Sequence, residues 1–193
     1  MHWAAMYGKL NILEYLLDRV EYINPENAHK MTPMHLAAKH GHTETLTFLR
    51  DFAQDQNPPS RTGITPLHLA AQHGFLDIVR ELMLVITDPN GKMPKTEDGT
   101  TPLHLAARNN HLPVLNYMLE FAPDKNPRDD RGMTPLHLAA LNKHHEVVKC
   151  LLQFADEKNP KDLRGWTPLK LTGVKYGRWQ MLRHAFLLMK NKI

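Results

Sequence analysis

Cysteine is almost missing from this chain. The single thiol, Cys150, cannot close an intramolecular disulfide. That excludes a disulfide-stapled scaffold and suits a reducing compartment. Aromatic residues are scarce, at 7%, so a core has to be built from Leu, Ala, Val and Met. No run approaches the roughly 18 apolar residues of a membrane-spanning helix, and no charged-then-apolar leader opens the chain. Charge of one sign is lacking too. With 24 basic and 20 acidic residues the net charge is +4, too mild to be a nucleic-acid signature. No glycine-rich phosphate loop follows a strand pattern. No Ser-His-Asp arrangement or carboxylate pair stands where a fold rule would favour catalysis. These absences argue against an enzyme and against any cofactor. They leave an intracellular protein, cytoplasmic or nuclear, as the expectation, with no membrane insertion in this segment.

What is present is one phrase, repeated. Thr-Pro-Leu-His-Leu-Ala-Ala stands at residues 65–71, 101–107 and 134–140. It returns at 32–38 with Met34 in place of Leu, and in worn form at 167–172. The steps between the threonines are 33, 36, 33 and 33 residues, and His2 precedes His35 by 33. A fixed period of this size means stacked repeats and a single continuous domain. The units run 1–26, 27–59, 60–95, 96–128, 129–161 and 162–193. Met1 aligns with Met34, so the chain opens partway through a unit, and the expectation is a parent chain that is longer or was trimmed there.

Each unit has the same grammar. A polar turn, such as Asp98-Gly99 or Arg131-Gly132, precedes Thr-Pro. Thr is suited to cap a helix, and Pro to open it, since the first turn needs no N–H there. A short helix ends at Gly41, Gly74, Asn110 or Lys143. A second helix runs back with apolar residues at helical spacing, as in Leu10, Leu13, Leu16 and Leu17. Asn-Pro closes the unit at Asn24, Asn57, Asn126 and Asn159. The third unit instead carries three extra residues within 87–92. Lys30 takes the place of the turn glycine, which predicts a less regular turn there. In the last unit Lys170 replaces the motif histidine, and an apolar helix is expected over 179–189.

The Thr-Pro-Leu-His-x-Ala phrase, its period and the turn–helix–helix grammar resemble the ankyrin repeat family across essentially the whole chain. The resemblance implies an all-α solenoid of stacked helix–turn–helix units with projecting, hairpin-like turns. It also implies that the concave groove, lined by turns and first helices, binds another protein. The alternative is a regulatory array inside a larger channel or signalling protein. By the same resemblance, partner contacts fall at the turn tips and just after Ala-Ala. Met31, Ile64, Met133 and Trp166 form an apolar stripe. Lys39, Arg61, Arg108, Arg131, Arg164 and Lys175 form a cationic one. Trp and Arg anchor interfaces more than other residue types do, so a partner segment with apolar anchors and acidic character is expected.

Thirteen histidines invite a metal reading. His35, His68, His104 and His137 hold one motif position, which a stack places about 10 Å apart. Zinc ligands must converge to about 2.1 Å, so the ladder is expected to tie backbone together instead. His144-His145 and His40-x-His42 lack partners at ligand spacing. Cys150, beside Leu151 and Leu152, reads as a packed hydrophobe.

Overall fold

The computed structural model describes residues 1–88 and 91–171. The expected terminal helix and Lys175 lie outside the described residues. Among those described, eleven helices alternate in two roles. The first helices are α1 (His2–Met6), α3 (Pro33–His40), α5 (Pro66–His73), α7 (Pro102–Arg108), α9 (Pro135–Leu141) and α11 (Pro168–Leu171). The second helices are α2 (Leu10–Leu17), α4 (Thr43–Asp51), α6 (Leu76–Val85), α8 (Leu112–Phe121) and α10 (His145–Phe154).

The repeated phrase builds the start of each full first helix. Thr32, Thr65, Thr101 and Thr134 are extended N-caps with Pro in the first turn. The hydroxyl serves the N–H of the third helical residue, and the histidine at that position reaches back to the threonine N–H. The pair satisfies two donors that a helix start otherwise leaves open. A cap of this kind is worth about 1 kcal/mol.

The ends are set by space. Gly41 and Gly74 close α3 and α5 at φ +80. A Cβ on Gly41 would meet the Phe75 ring at 2.6 Å, and one on Gly74 would meet His111 Nδ1 at 2.4 Å. Asn110 and Lys143 adopt the same left-handed conformation, at φ 64 and 61.

Packing makes two layers. First helices lie against first helices through buried alanine pairs: Ala37 and Ala38, Ala70 and Ala71, Ala106 and Ala107, Ala139 and Ala140. Second helices meet through larger side chains such as Leu46, Leu49, Ile78, Val79, Leu82, Leu115, Met118 and Val147. Methyl groups let backbones approach more closely than leucines do. The first-helix layer is the more closely packed of the two.

No strand occurs among the described residues. The turns project and pair edge to edge through single backbone bonds. The N–H groups of Arg61, Glu97, Asp130 and Leu163 donate to the carbonyls of His29, Thr62, Asp98 and Arg131, at 2.9–3.0 Å. The irregular turn expected at Lys30 does not materialise. Lys30 takes φ 55, and its turn closes with the same bonds as the others, Asn27 N–H to Met31 O and Lys30 N–H to Asn27 O. The neighbouring units supply enough pairing to hold a lysine in the glycine conformation.

The first two Asn-Pro pairs have a role that sequence reading did not find. The Asn24 and Asn57 carboxamides accept from the backbone N–H of Met34 and Leu67, at 3.1 and 3.0 Å. Each anchors a closing loop to the next first helix. In the third unit the insertion leaves Met93 ten residues before Leu103, so that junction lacks this tie, and in the fourth and fifth the buried Asn126 and Asn159 Oδ1 atoms have no hydrogen-bond partner among the described residues.

Candidate protein interface

Two rows of histidines fix the face that turns and first helices form together. In the inner row the N–H groups of Thr32, Thr65, Thr101 and Thr134 donate to Nδ1 of His35, His68, His104 and His137, at 3.0–3.2 Å. Since Nδ1 accepts, the ring proton sits on Nε2. Nε2–H then donates to the carbonyls of Ile64, Thr100, Met133 and Trp166 in the next unit, at 3.0–3.1 Å. His2 makes the same outward bond to Met31, at 2.9 Å. Every such ring therefore locks its own helix start to the stem of the following turn. Burial dominates the titration of all four, against the pull of those carbonyls. It holds His35, His104 and His137 below the ordinary histidine value and His68 down to about 4.

The outer row stands at the inter-helix edge. Nε2–H of His42, His111 and His144 donates backward, to the carbonyls of Met6, Gln72 and Arg108, at 2.9–3.0 Å. Sequence reading weighed His42 and His144 only as metal candidates. Their actual signal was positional, because each directly follows a helix-breaking residue. Among the described residues no group of three or more His, Cys, Asp and Glu could hold a metal ion.

The structure sorts the predicted contact residues into four kinds. Met133 keeps 3% of its surface and is corrected from contact residue to interior residue. Its carbonyl accepts from His104 Nε2–H at 3.0 Å. Met31 and Ile64 are half-buried against the core. Arg61, Arg131 and Arg164 are exposed but engaged. Arg61 donates to Ala28 O at 2.9 Å. Arg131 makes a two-pronged pair with the buried Asp129, at 3.2 and 3.0 Å, and Arg164 pairs with Asp162 at 3.4 and 3.3 Å. Lys39 and Arg108, just after their alanine pairs, are exposed. Trp166 is 40% exposed, with the Arg164 and Lys170 cations 5.5 and 4.8 Å from its ring centre. Tyr7 and Leu141, at the helix-end positions, are 51% and 47% exposed.

Cys150 is buried, its thiol donates to Asn116 Oδ1 at 2.8 Å, and burial pushes its titration up. Nothing in that setting favours a thiolate.

A family model for ankyrin repeats, three copies long, matches residues 1–93, 53–129, 83–162 and 121–190. The chain belongs to the ankyrin repeat family. Ankyrin repeats generally mediate protein–protein interaction, and ankyrin repeat proteins are typically non-enzymatic scaffolds. No curated protein matches this chain. No helix among the described residues is long and apolar enough to cross a membrane. Within an ankyrin frame the division of labour is clear. The repeated phrase is spent inside the stack, and most of the variable residues directly after it face solvent.

Proposed function

We propose that this chain binds a protein segment along the concave face formed by its turns and first helices, without chemistry of its own. One observation supports this most. The constant residues Thr, Pro, His, Ala and Ala of units two to five are buried, whereas the variable residues just after them, Lys39, His40, His73, Arg108, Asn109, Leu141 and Asn142, are exposed. The stack holds those side chains on bonded helices, so little ordering cost falls on binding. Tyr7, Leu141 and Trp166 supply apolar anchors, and Lys39 and Arg108 supply charge. The reading places the protein inside cells, in cytoplasm or nucleus, where a lone thiol persists.

The test uses two baits, the wild-type chain and a Tyr7→Ala, Leu141→Ser, Trp166→Ala variant. Both are first checked for helicity by circular dichroism. A partner identified from lysate, purified and titrated against both, should bind the variant at least about tenfold more weakly, on the order of losing one or two anchor residues. Equal affinity for both baits would overturn the reading.

A further inference from the structure

The cations on the binding face differ in what they are doing. On the turn side, Arg61, Arg131 and Arg164 are occupied by turn carbonyls and by the buried carboxylates Asp129 and Asp162. At the opposite, inter-helix edge stand Lys9, Lys39, Arg108 and Lys143, all exposed. The side chains of these four make no hydrogen bond or ion pair among the described residues.

Two of the three acids near that edge are engaged along their own helices. Glu44, Asp77 and Glu146 lie in the first turns of α4, α6 and α10. Glu146 pairs along its own helix with Lys149 at 2.7 Å, and Asp77 approaches Arg80 at 3.9 Å. His73, in the middle of the edge, is held below the ordinary histidine value by burial first and then by Lys39, His111 and His40.

We propose that this inter-helix edge docks an acidic stretch of the partner, so that the partner's carboxylates meet Lys9, Lys39, Arg108 and Lys143 while its apolar residues meet Tyr7 and Leu141 on the same edge and Trp166 on the last turn. The inference rests on the groove reading and gives the bound segment a chemistry. Spacing favours a polypeptide over other polyanions. Stacked units repeat at about 10 Å, and an extended chain advances about 3.3 Å per residue. An acidic residue at about every third position therefore meets one unit after another. Duplex DNA carries a charge every ~1.7 Å, and an anionic membrane recruits clusters of about 4–8 Lys and Arg. One cation per unit, with none in the third, matches neither.

The experiment measures binding of a fluorescein-labelled dodecapeptide with Glu at every third position and Ser and Ala between. Titrations are run at low salt on three proteins. These are the wild type, an edge variant (Lys9→Gln, Lys39→Gln, Arg108→Gln, Lys143→Gln) and a turn-side variant (Arg61→Gln, Arg131→Gln, Arg164→Gln and Lys161→Gln, the last an exposed lysine directly before the turn residue Asp162). The two variants lose the same formal charge, and urea midpoints verify that each is folded. The expected result is about tenfold or more weakening in the edge variant, on the order of four lost surface ion pairs, and about twofold or less in the turn-side variant.

A larger loss in the turn-side variant overturns the edge while leaving the groove standing. Equal binding by all three proteins overturns the edge and removes charge from the groove reading as well. No binding to wild type overturns the edge alone, since the two-bait titration judges the groove through its apolar anchors. Tighter binding to a dodecameric oligonucleotide, or to vesicles of about one-third anionic lipid, than to the peptide also overturns it.

Discussion

The inner and outer histidine rows make the same bond, Nε2–H to a carbonyl of a neighbouring unit, yet only one row is chemically obligatory. An inner ring uses both nitrogens: Nδ1 accepts from Thr within its own unit, and Nε2–H reaches forward to the next turn. Phenylalanine cannot stand there, because two buried backbone groups would lose their partners. An outer ring makes one hydrogen bond, and those of His42 and His111 otherwise work by shape, packing against Gly8 and Gly74 of the unit before. Phe75 occupies the same place over Gly41 and makes no such bond. One row is a hydrogen-bond device and the other a packing device that happens to use imidazole.

Acid should break the inner row first and hardest. An unfolded chain returns its histidines to about 6.5, whereas His68 in the fold sits near 4, and His35, His104 and His137 are also depressed. Between those values the unfolded state binds more protons. The stability contributed by the neutral rings is complete above pH ~6.5 and is lost as pH falls through the window toward the folded values. His68 alone accounts for about 3 kcal/mol of that loss. Urea midpoints measured from about pH 7.5 down to 4.5 should fall, with most of the drop below about 6.5. A flat profile would mean that the rings are not held neutral.

Single substitutions separate the rows. His104→Ala strands the Thr101 N–H and the Met133 carbonyl inside the stack and empties a ring's volume, for a cost of about 3–5 kcal/mol. His144→Ala exposes the Arg108 carbonyl at an edge that water already reaches, and should cost about 1 kcal/mol. Comparable losses in urea unfolding would abolish the distinction between the rows.

The packing role of the outer row has its own signature. Gly74→Ala forces a Cβ at φ +80 to within 2.4 Å of His111 Nδ1. The backbone part alone is about 1–2 kcal/mol, and displacement of the ring adds to it. His111→Ala combined with Gly74→Ala should recover the ring part, a coupling of about 1 kcal/mol. His111→Phe, which copies the Phe75 arrangement, should stay within about 1 kcal/mol of wild type. A large loss there would show the outer bond to be as indispensable as the inner one.

Much of this was legible in the chain itself. The period names the stack, and Thr-Pro with a histidine three residues after the threonine dictates a capped helix start. The alanine pairs indicate which layer packs tightly. The inner histidines were readable as backbone ties, because a 10 Å ladder cannot converge on a metal. Other features depend on neighbours in space rather than in sequence. Met133 is buried, whereas Met31, Ile64 and Trp166, whose carbonyls accept the same histidine bond, stay more exposed. The occupation of Arg131 and Arg164 follows from carboxylates two residues earlier whose own burial the sequence does not reveal. His42, His111 and His144 looked unrelated because Phe75 interrupts their row. The anchoring role of Asn24 and Asn57 spans ten residues across a unit boundary.

The smallest effect joins the fold to the edge. Lys143 stands where Gly41 and Gly74 stand in earlier units, at φ 61, a conformation that costs a side chain about 1–2 kcal/mol. Glycine removes that strain but adds about 0.5–1 kcal/mol of unfolded-chain entropy. Lys143→Gly should therefore raise stability by only about 0.5 kcal/mol in urea unfolding. Lys30→Gly, at φ 55 in a turn away from the edge, should gain a similar amount. The pair differ in what else they remove. If Lys143 is kept for the partner, Lys143→Gly weakens the acidic peptide by about twofold or more while stabilising the fold, as loss of one exposed ion pair would, and Lys30→Gly leaves binding unchanged. A stabilised Lys143→Gly chain with wild-type affinity would assign that lysine no role at the edge, and its strained backbone would have no functional return.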